Sequence, residues 1–143
     1  MRVMAVDYGD ARTGIAVSDL TKTLVGDAFV IHSKIMKETS RQIADEAKKR
    51  EVSCIIVGYP KNMDGSIGVR AEKSEKLAES LRSQLDVLDL QNVEVKLWDE
   101  RLTTVSAHKV LSDVGKHGKK RKQTVDAVAA SLILESYLPL LTS

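Results

Sequence analysis

A run of four apolar residues, Cys54-Ile55-Ile56-Val57, constrains the fold of this chain more than any other feature. So short a run without a polar residue is typical of a β-strand that is covered on both faces. Helical patterns lie on either side of it, at residues 35–50 and 69–85. A strand buried between helices is typical of an α/β domain. We therefore predict an α/β fold around this strand.

The rest of the chain completes that fold. Two short apolar runs joined by a glycine-bearing segment predict an opening hairpin. The predicted strands are residues 2–6, 14–18, 24–31, 54–57 and 93–97. The predicted helices are residues 35–50, 69–85, 103–114 and 123–138, with Thr103 as a cap, Pro139 as a stop and a basic loop at 116–122. We expect a five-stranded mixed sheet, with an antiparallel hairpin followed by parallel strands, in a single domain spanning 1–143.

Composition excludes several classes of protein. The chain has 143 residues, a length usual for one domain, and a net charge of +2. Its single cysteine, Cys54, allows no internal disulfide and fits a reducing compartment. No apolar run approaches the roughly 18 residues of a membrane span, and the run before Asp7 is too short for a signal peptide. We expect a cytoplasmic protein that does not contact a membrane.

Carboxylates follow two of the predicted strands. Asp7 ends the first strand, and Asp99 and Glu100 end the fifth. Open α/β sheets bind ligands at the carboxyl ends of their strands, so these acids converge if the two strands are close. The structural alternatives are a turn role for Asp7 and a solvated strand end for Glu100.

Asp126 lies in an apolar helical segment, residues 125–134. A carboxylate buried there requires compensation, because an unpaired buried charge is costly. Lys122, one turn earlier, is one candidate partner and a metal ion is the other. All the candidate ligands are oxygen donors and the three histidines are scattered, which favours Mg²⁺ or Mn²⁺ over zinc.

A phosphate-binding loop is the competing interpretation of the first turn. Gly9 and Gly14 have the spacing of such a loop, but Ile15 follows where a Walker A motif requires lysine. A P-loop is therefore excluded. A hairpin of the actin-like ATPase type would still bind phosphates, but it would need a second domain that this chain is too short to supply.

Four motifs occur together in the order of a known family. They are DYGDARTG at 7–14, GYPKNMDGS at 58–66, DERLTT at 99–104 and KQTVDAVAASLIL at 122–134. On these motifs the chain resembles the YqgF (RuvX-like) family, described as Holliday-junction resolvases and as pre-16S rRNA nucleases. The resemblance implies an RNase H-like fold whose second strand is antiparallel. It also implies that Asp7, Glu100 and Asp126 are catalytic acids that bind the metal; Asp99 is not implied as a ligand.

Basic and aromatic residues near these acids are candidates for contact with nucleic acid. A basic run is more often a solvated loop, but this one precedes Asp126 directly. The basic candidates are Arg12, Lys61, Arg70, Arg101, Lys119, Lys120, Arg121 and Lys122. Arg12 and Arg101 could instead pair with neighbouring acids. Tyr8, Tyr59 and Trp98 adjoin the strand ends; they could stack on unpaired bases, although core packing is expected for Trp98.

The sequence therefore predicts a metal-dependent nuclease that acts on structured nucleic acid. By resemblance, the favoured substrate is precursor 16S rRNA. The second hypothesis is a resolvase of four-way DNA junctions, which would require a two-fold symmetric dimer. The third is a catalytically silent module that binds nucleic acid or phosphate. The sequence leaves open RNA against DNA, monomer against homodimer, and the cleavage position.

Overall fold

A mixed five-stranded sheet forms the centre of the computed structural model, which describes residues 1–100 and 118–141, with side chains for 1–100 and 125–141. The strands are β1 (Arg2–Asp7), β2 (Arg12–Ser18), β3 (Val25–His32), β4 (Val52–Tyr59) and β5 (Glu94–Asp99). Their order in the sheet is β3-β2-β1-β4-β5. The β1–β2 and β2–β3 pairs are antiparallel, whereas β1–β4 and β4–β5 are parallel. The predicted mixed sheet with an antiparallel opening hairpin is confirmed.

Strands β2 and β4 extend furthest beyond their predicted ranges. β2 begins at Arg12 rather than Gly14, because Arg12 pairs with His32 on β3. β4 continues beyond Val57 through Gly58 and Tyr59, which pair with Trp98 and Asp99 on β5. Neighbouring strands therefore extend the ladder into residues whose own composition suggests a turn.

The described helices are α1 (Met36–Lys49), α2 (Val69–Val87) and α3 (Gly118–Tyr137), with a short 3₁₀ helix at Leu138–Leu141. The prediction that α3 starts at Gln123, after a basic loop, is wrong: residues 118–122 are already helical. Lysine and arginine are strong helix formers, so a basic run extends a helix readily. The predicted helix at 103–114 lies outside the described residues.

The two faces of the sheet are covered by different helices. Alternate residues of each strand point to opposite faces. On β1, Met4 and Val6 join the core under α1 and α2, whereas Val3 and Ala5 join the core under α3. We call these the α1/α2 face and the α3 face. β4 divides in the same way, so its continuous apolar run serves two cores, as predicted.

Helix α3 lies unusually close to the sheet. The residues beneath it on β1 and β2 include Ala5 and Ala16, and a side chain at Gly14 would overlap the backbone carbonyl of Asp126. At the other end of the helix, Trp98 packs edge to face on Tyr137, with ring centroids 5.1 Å apart. The core role expected for Trp98 is confirmed. None of the helices within the described ranges combines the length and apolar composition needed to span a bilayer.

Candidate active site

The three predicted acids occupy one end of the α3 face. Asp7 follows Val3 and Ala5 in the alternation of β1, so it points towards α3. Glu100 stands two residues after Trp98, which packs in the α3-face core. Asp126 is on α3 itself, and its backbone lies against Gly14, the β2 partner of Asp7. Glu100 contacts Asp7 in this arrangement, a contact that strand alternation in the sequence did not predict.

Asp7 and Glu100 form a hydrogen-bonded acid pair. Burial raises the pKa of Asp7 to about 7, and the negative charges of Glu100 and Asp126 act in the same direction. Burial also raises the pKa of Glu100. The two carboxyl groups share a hydrogen bond, which requires that one of them carries a proton. Two carboxyl groups thus meet in a poorly solvated place and share a proton.

A cation from the opposite side of the sheet edge faces this pair. Arg70, in the first turn of α2, lowers the pKa of both Asp7 and Glu100 by its positive charge. One turn later, Lys73 forms an ion pair with Asp10 at 2.8 Å and so joins α2 to the β1–β2 turn. The sequence identified Arg70 only as a possible contact for nucleic acid. Its position beside the acids was missed, because only the tertiary fold brings α2 there.

Asp126 is held by Arg12. The Arg12 Nε lies 3.0 Å from Asp126 Oδ2, and the Asp126 side chain is 24% exposed. Asp126 is therefore less enclosed than the sequence predicts, because residues 125–129 of α3 are only half-buried. Arg12 is the partner that the structure describes for Asp126. The side chain of Lys122, the partner weighed from the sequence, lies outside the described residues.

Metal binding by these acids would require a rearrangement. Among residues 1–100 and the described part of α3, no three His, Cys, Asp or Glu side chains already form a metal-binding group. Asp126 is turned towards Arg12, while Asp7 and Glu100 contact each other. The donor chemistry nevertheless suits a hard divalent cation, because every candidate ligand is a carboxylate oxygen. A cation would also offset the burial and the repulsion from Glu100 that raise the pKa of Asp7.

The other predicted binding residues fall into two groups. Lys61 lies over the ring of Tyr59, with its Nζ 5.5 Å from the ring centroid. Tyr59 itself is buried and donates a hydrogen bond to Glu75, so it does not present a free face for stacking. The residues that lie outside the described side chains are Arg101, Lys119, Lys120, Arg121 and Lys122.

Two glycines make room for the acids, a role that was not predicted for either of them from the sequence. Gly14 admits the backbone of Asp126 against β2. Gly58 lies beneath Glu100: an added Cβ would be 2.5 Å from Glu100 Oε1 and 2.9 Å from the Ile133 Cδ1. A glycine within or at the end of a strand often marks such a close approach, and that signal was available.

The family follows from comparison with known proteins. The RuvX family model, described as Holliday junction resolvase, matches residues 1–139. The chain belongs to the RuvX family. A relative from Halothermothrix orenii, provisionally named pre-16S rRNA nuclease, is 48% identical over 139 residues, which cover 96% of this chain and 94% of the relative. One from Clostridium novyi with the same name is 39% identical, with 96% and 98% covered.

Solved structures show the same fold at low sequence identity. The chain matches T. thermophilus RuvC in complex with a Holliday junction substrate with a TM-score of 0.61 and 15% identity, covering 100% of this chain and 98% of that one. It matches the fowlpox virus resolvase bound to Holliday junction DNA with a TM-score of 0.60 and 17% identity, over 100% of both chains. The fold is therefore RNase H-like. As a RuvX member the chain is a nuclease, an enzyme that binds nucleic acid and hydrolyses phosphodiester bonds.

Gly58→Ala should damage cleavage more than folding. The new methyl group would meet the flexible ends of Glu100 and Ile133, so the sheet survives while the Glu100 carboxylate moves. A misplacement of about 1 Å at a reacting centre can cost about a hundredfold in rate. We expect a loss of that order in single-turnover cleavage, with a Tm within about 4 °C of wild type. Gly26→Ala, a strand glycine remote from the acids, is the matched control and should cleave normally; equal rates for both variants would contradict the role of Gly58.

Proposed function

We propose that this RuvX nuclease uses Asp7, Glu100 and Asp126 to cleave structured RNA in a reaction that depends on Mg²⁺ or Mn²⁺. The observation that carries the proposal is the contact between Asp7 and Glu100, two half-buried carboxyl groups with raised pKa values. Structural acids are normally paired with bases, whereas a buried acid pair is typical of a catalytic or metal-binding site.

Each residue has a distinct role in this proposal. Asp7 and Glu100 would hold the metal at the carboxyl ends of β1 and β5, and Asp126 would join them by exchanging Arg12 for the cation. When bound, a divalent ion would activate the attacking water and stabilise charge on the phosphate. Arg12, once released, and Arg70 would bind phosphate oxygens beside the scissile bond.

The remaining basic candidates would extend this contact along the substrate. Phosphate contacts position a nucleic acid without reading its sequence, and each adds to the salt dependence of binding. They are Lys61, Arg101, Lys119, Lys120, Arg121 and Lys122. We propose precursor 16S rRNA as the substrate because relatives at 39–48% identity carry that name. Such a substrate would place the enzyme in the cytoplasm, acting as one nuclease domain over residues 1–143.

Cleavage of a labelled precursor tests this function. We expect purified protein with Mn²⁺ to convert a 5′-labelled RNA that contains the 16S precursor stem into one discrete product. Excess EDTA should abolish the product, and added Mn²⁺ should restore it. A single strand with the same sequence at the cut serves as the control for structure. Undiminished cleavage in EDTA would contradict metal dependence.

Holliday-junction cleavage is the second candidate, favoured by the description of the family model. A four-way DNA junction labelled on each strand in turn distinguishes the two. Paired, symmetric nicks by a dimer would favour the resolvase. A discrete RNA product without junction nicks would favour the precursor nuclease.

A further inference from the structure

A loop projects from the sheet beside the acid pair. It comprises residues 60–68, between β4 and α2. It begins after Tyr59, which pairs with Asp99, the residue before Glu100. It ends just before Arg70, whose charge acts on both Asp7 and Glu100. Both ends of the loop are therefore anchored at the candidate active site.

Hydrogen bonds within the loop fix its shape. The Asn62 N–H donates to the Ser66 carbonyl at 3.0 Å, and the Gly65 N–H donates to the Asn62 carbonyl at 2.8 Å. The Ser66 N–H donates to Asp64 Oδ1 at 2.9 Å, and the Asn62 side-chain amide donates to Ser66 Oγ at the same distance. Gly65 adopts a φ of 87°, which favours glycine at the turn. The loop thus keeps its form without packing against the core.

This fixed loop exposes a large apolar side chain. Met63 is 91% exposed, the highest value among the large hydrophobic residues that the structure describes. Ile67 and Val69, at 49% and 67%, continue the apolar character towards α2. Water solvates such a side chain poorly, so covering it is favourable. Methionine is flexible and polarisable, and it adapts to irregular partners such as the faces of bases.

The position of Met63 indicates its partner. Cations lie on both sides of Met63, with Lys61 in the loop and Arg70 just after it, which suits a polyanion. The one carboxylate in the loop, Asp64, is engaged by Ser66 through its N–H and its hydroxyl. A nucleic acid carries its phosphates outside and its apolar base faces inside. An apolar side chain beside the backbone of a nucleic acid is covered when it enters between two bases.

We propose that Met63 is a wedge that enters a base step next to the scissile phosphate. The inference rests on the proposed nuclease function and specifies its substrate class. Unstacking a base step costs free energy, and the cost is least where stacking is already interrupted. The preferred substrate is therefore a helix junction, a bulge or a duplex end, rather than a continuous duplex.

Fluorescence of 2-aminopurine tests the wedge independently of cleavage. The analogue is placed in turn at each position flanking the mapped cut in a bulged precursor stem, or flanking the bulge if no cut occurs. Binding of the wild-type protein in Ca²⁺ should increase its emission at one position, because an unstacked 2-aminopurine is less quenched. Met63→Ala should bind without that increase, and Met63→Leu should retain it. No increase with saturating wild-type protein, or no binding at all, would overturn the proposal.

Cleavage rates provide a second test of the Met63 wedge. Met63→Ala should cut the stacked stem about tenfold more slowly than wild type. It should cut a stem with an abasic site at the same step at close to the wild-type rate. Val87→Ala removes another exposed apolar side chain, 77% exposed, at the far end of α2, a helix about 27 Å long, and should change neither rate. Equal rates for Met63→Ala and wild type on both stems would refute the wedge while leaving the nuclease intact.

Failure of the nuclease proposal and failure of the wedge proposal give different results. If wild-type protein cuts no substrate but still unstacks the base through Met63, the nuclease proposal fails and the wedge stands. If Met63→Ala converts a dimer into a monomer in sedimentation and leaves unstacking unchanged, Met63 contacts a second copy of the chain instead, and the wedge is refuted.

Discussion

Replacing Asp7 by asparagine should reduce single-turnover cleavage by about a thousandfold or more. Asparagine keeps the size of the side chain and can still donate a hydrogen bond to Glu100, but it removes an anionic ligand. A catalytic cation contributes several kcal/mol to the transition state, and each 1.36 kcal/mol corresponds to a factor of ten. Cleavage of the precursor stem in Mn²⁺, with excess enzyme, measures the loss.

Asp10→Asn is the matched control for Asp7→Asn. It makes the same chemical change in the same turn, at an exposed carboxylate that pairs with Lys73. Surface ion pairs contribute little to stability, so this variant should cleave at nearly the wild-type rate. If Asp7→Asn cleaves as fast as Asp10→Asn, Asp7 does not bind the catalytic metal.

Asp7→Asn should also stabilise the metal-free protein relative to wild type, and the difference should grow as the pH rises. The pKa of Asp7 is about 7 in the fold, against an ordinary value of 3.8, so the folded state holds the proton more tightly. Stability from this group is complete below pH 4 and is lost as the pH rises through 7. Burial and the negative charges of Glu100 and Asp126 disfavour the ionised form of Asp7, and the positive charge of Arg70 partly offsets them. In EDTA, the Tm of Asp7→Asn minus that of wild type should therefore be larger at pH 8 than at pH 5. A difference that does not change with pH would contradict the interaction of Asp7 with Glu100.

Gly14→Ala should destabilise the whole protein. The added methyl group would overlap the backbone carbonyl of Asp126, and a backbone atom cannot move aside as the end of a side chain can. Helix α3 must then shift away from β2, at the upper end of the roughly 1–3 kcal/mol that overpacking costs. We expect Tm to fall by about 10 °C in a thermal melt followed by circular dichroism.

Gly26→Ala provides the reference for Gly14→Ala. Gly26 is also a strand glycine, but the nearest atom to an added Cβ is 3.3 Å away, at Asp19 N. A small adjustment accommodates it, so the cost should be about 1 kcal/mol or less. Equal losses of Tm in the two variants would show that helix α3 does not depend on the close approach at Gly14.

The sequence predicted the sheet well because local pattern and tertiary position agree there. The run at Cys54–Val57 is apolar throughout since both faces are covered, and that burial is visible in residue type alone. The end of β4 was placed too early, because the pairing of Gly58 and Tyr59 with β5 is a property of the partner strand. The start of α3 was placed too late, because charge was taken as a loop signal where helix propensity prevailed.

The site was predictable as a set of residues but not as an arrangement. Motif resemblance pointed to Asp7, Glu100 and Asp126, and their roles remain predictions. The ion pair of Arg12 with Asp126 joins residues that are 114 positions apart, so no local spacing in the sequence predicts it. The approach of Arg70 to the acids likewise depends on how α2 crosses the sheet edge.

The acid pair joins the first strand of the chain to the last. Asp7 ends β1, but its partner Glu100 follows β5, and β5 connects to β1 in the sheet only through β4. A nascent chain that ends before residue 100 can form the hairpin and the β1–β4 pairing yet carries no paired acids. In the proposed mechanism, activity would therefore begin only after translation has passed Asp126, so a product released earlier would be unable to cleave RNA.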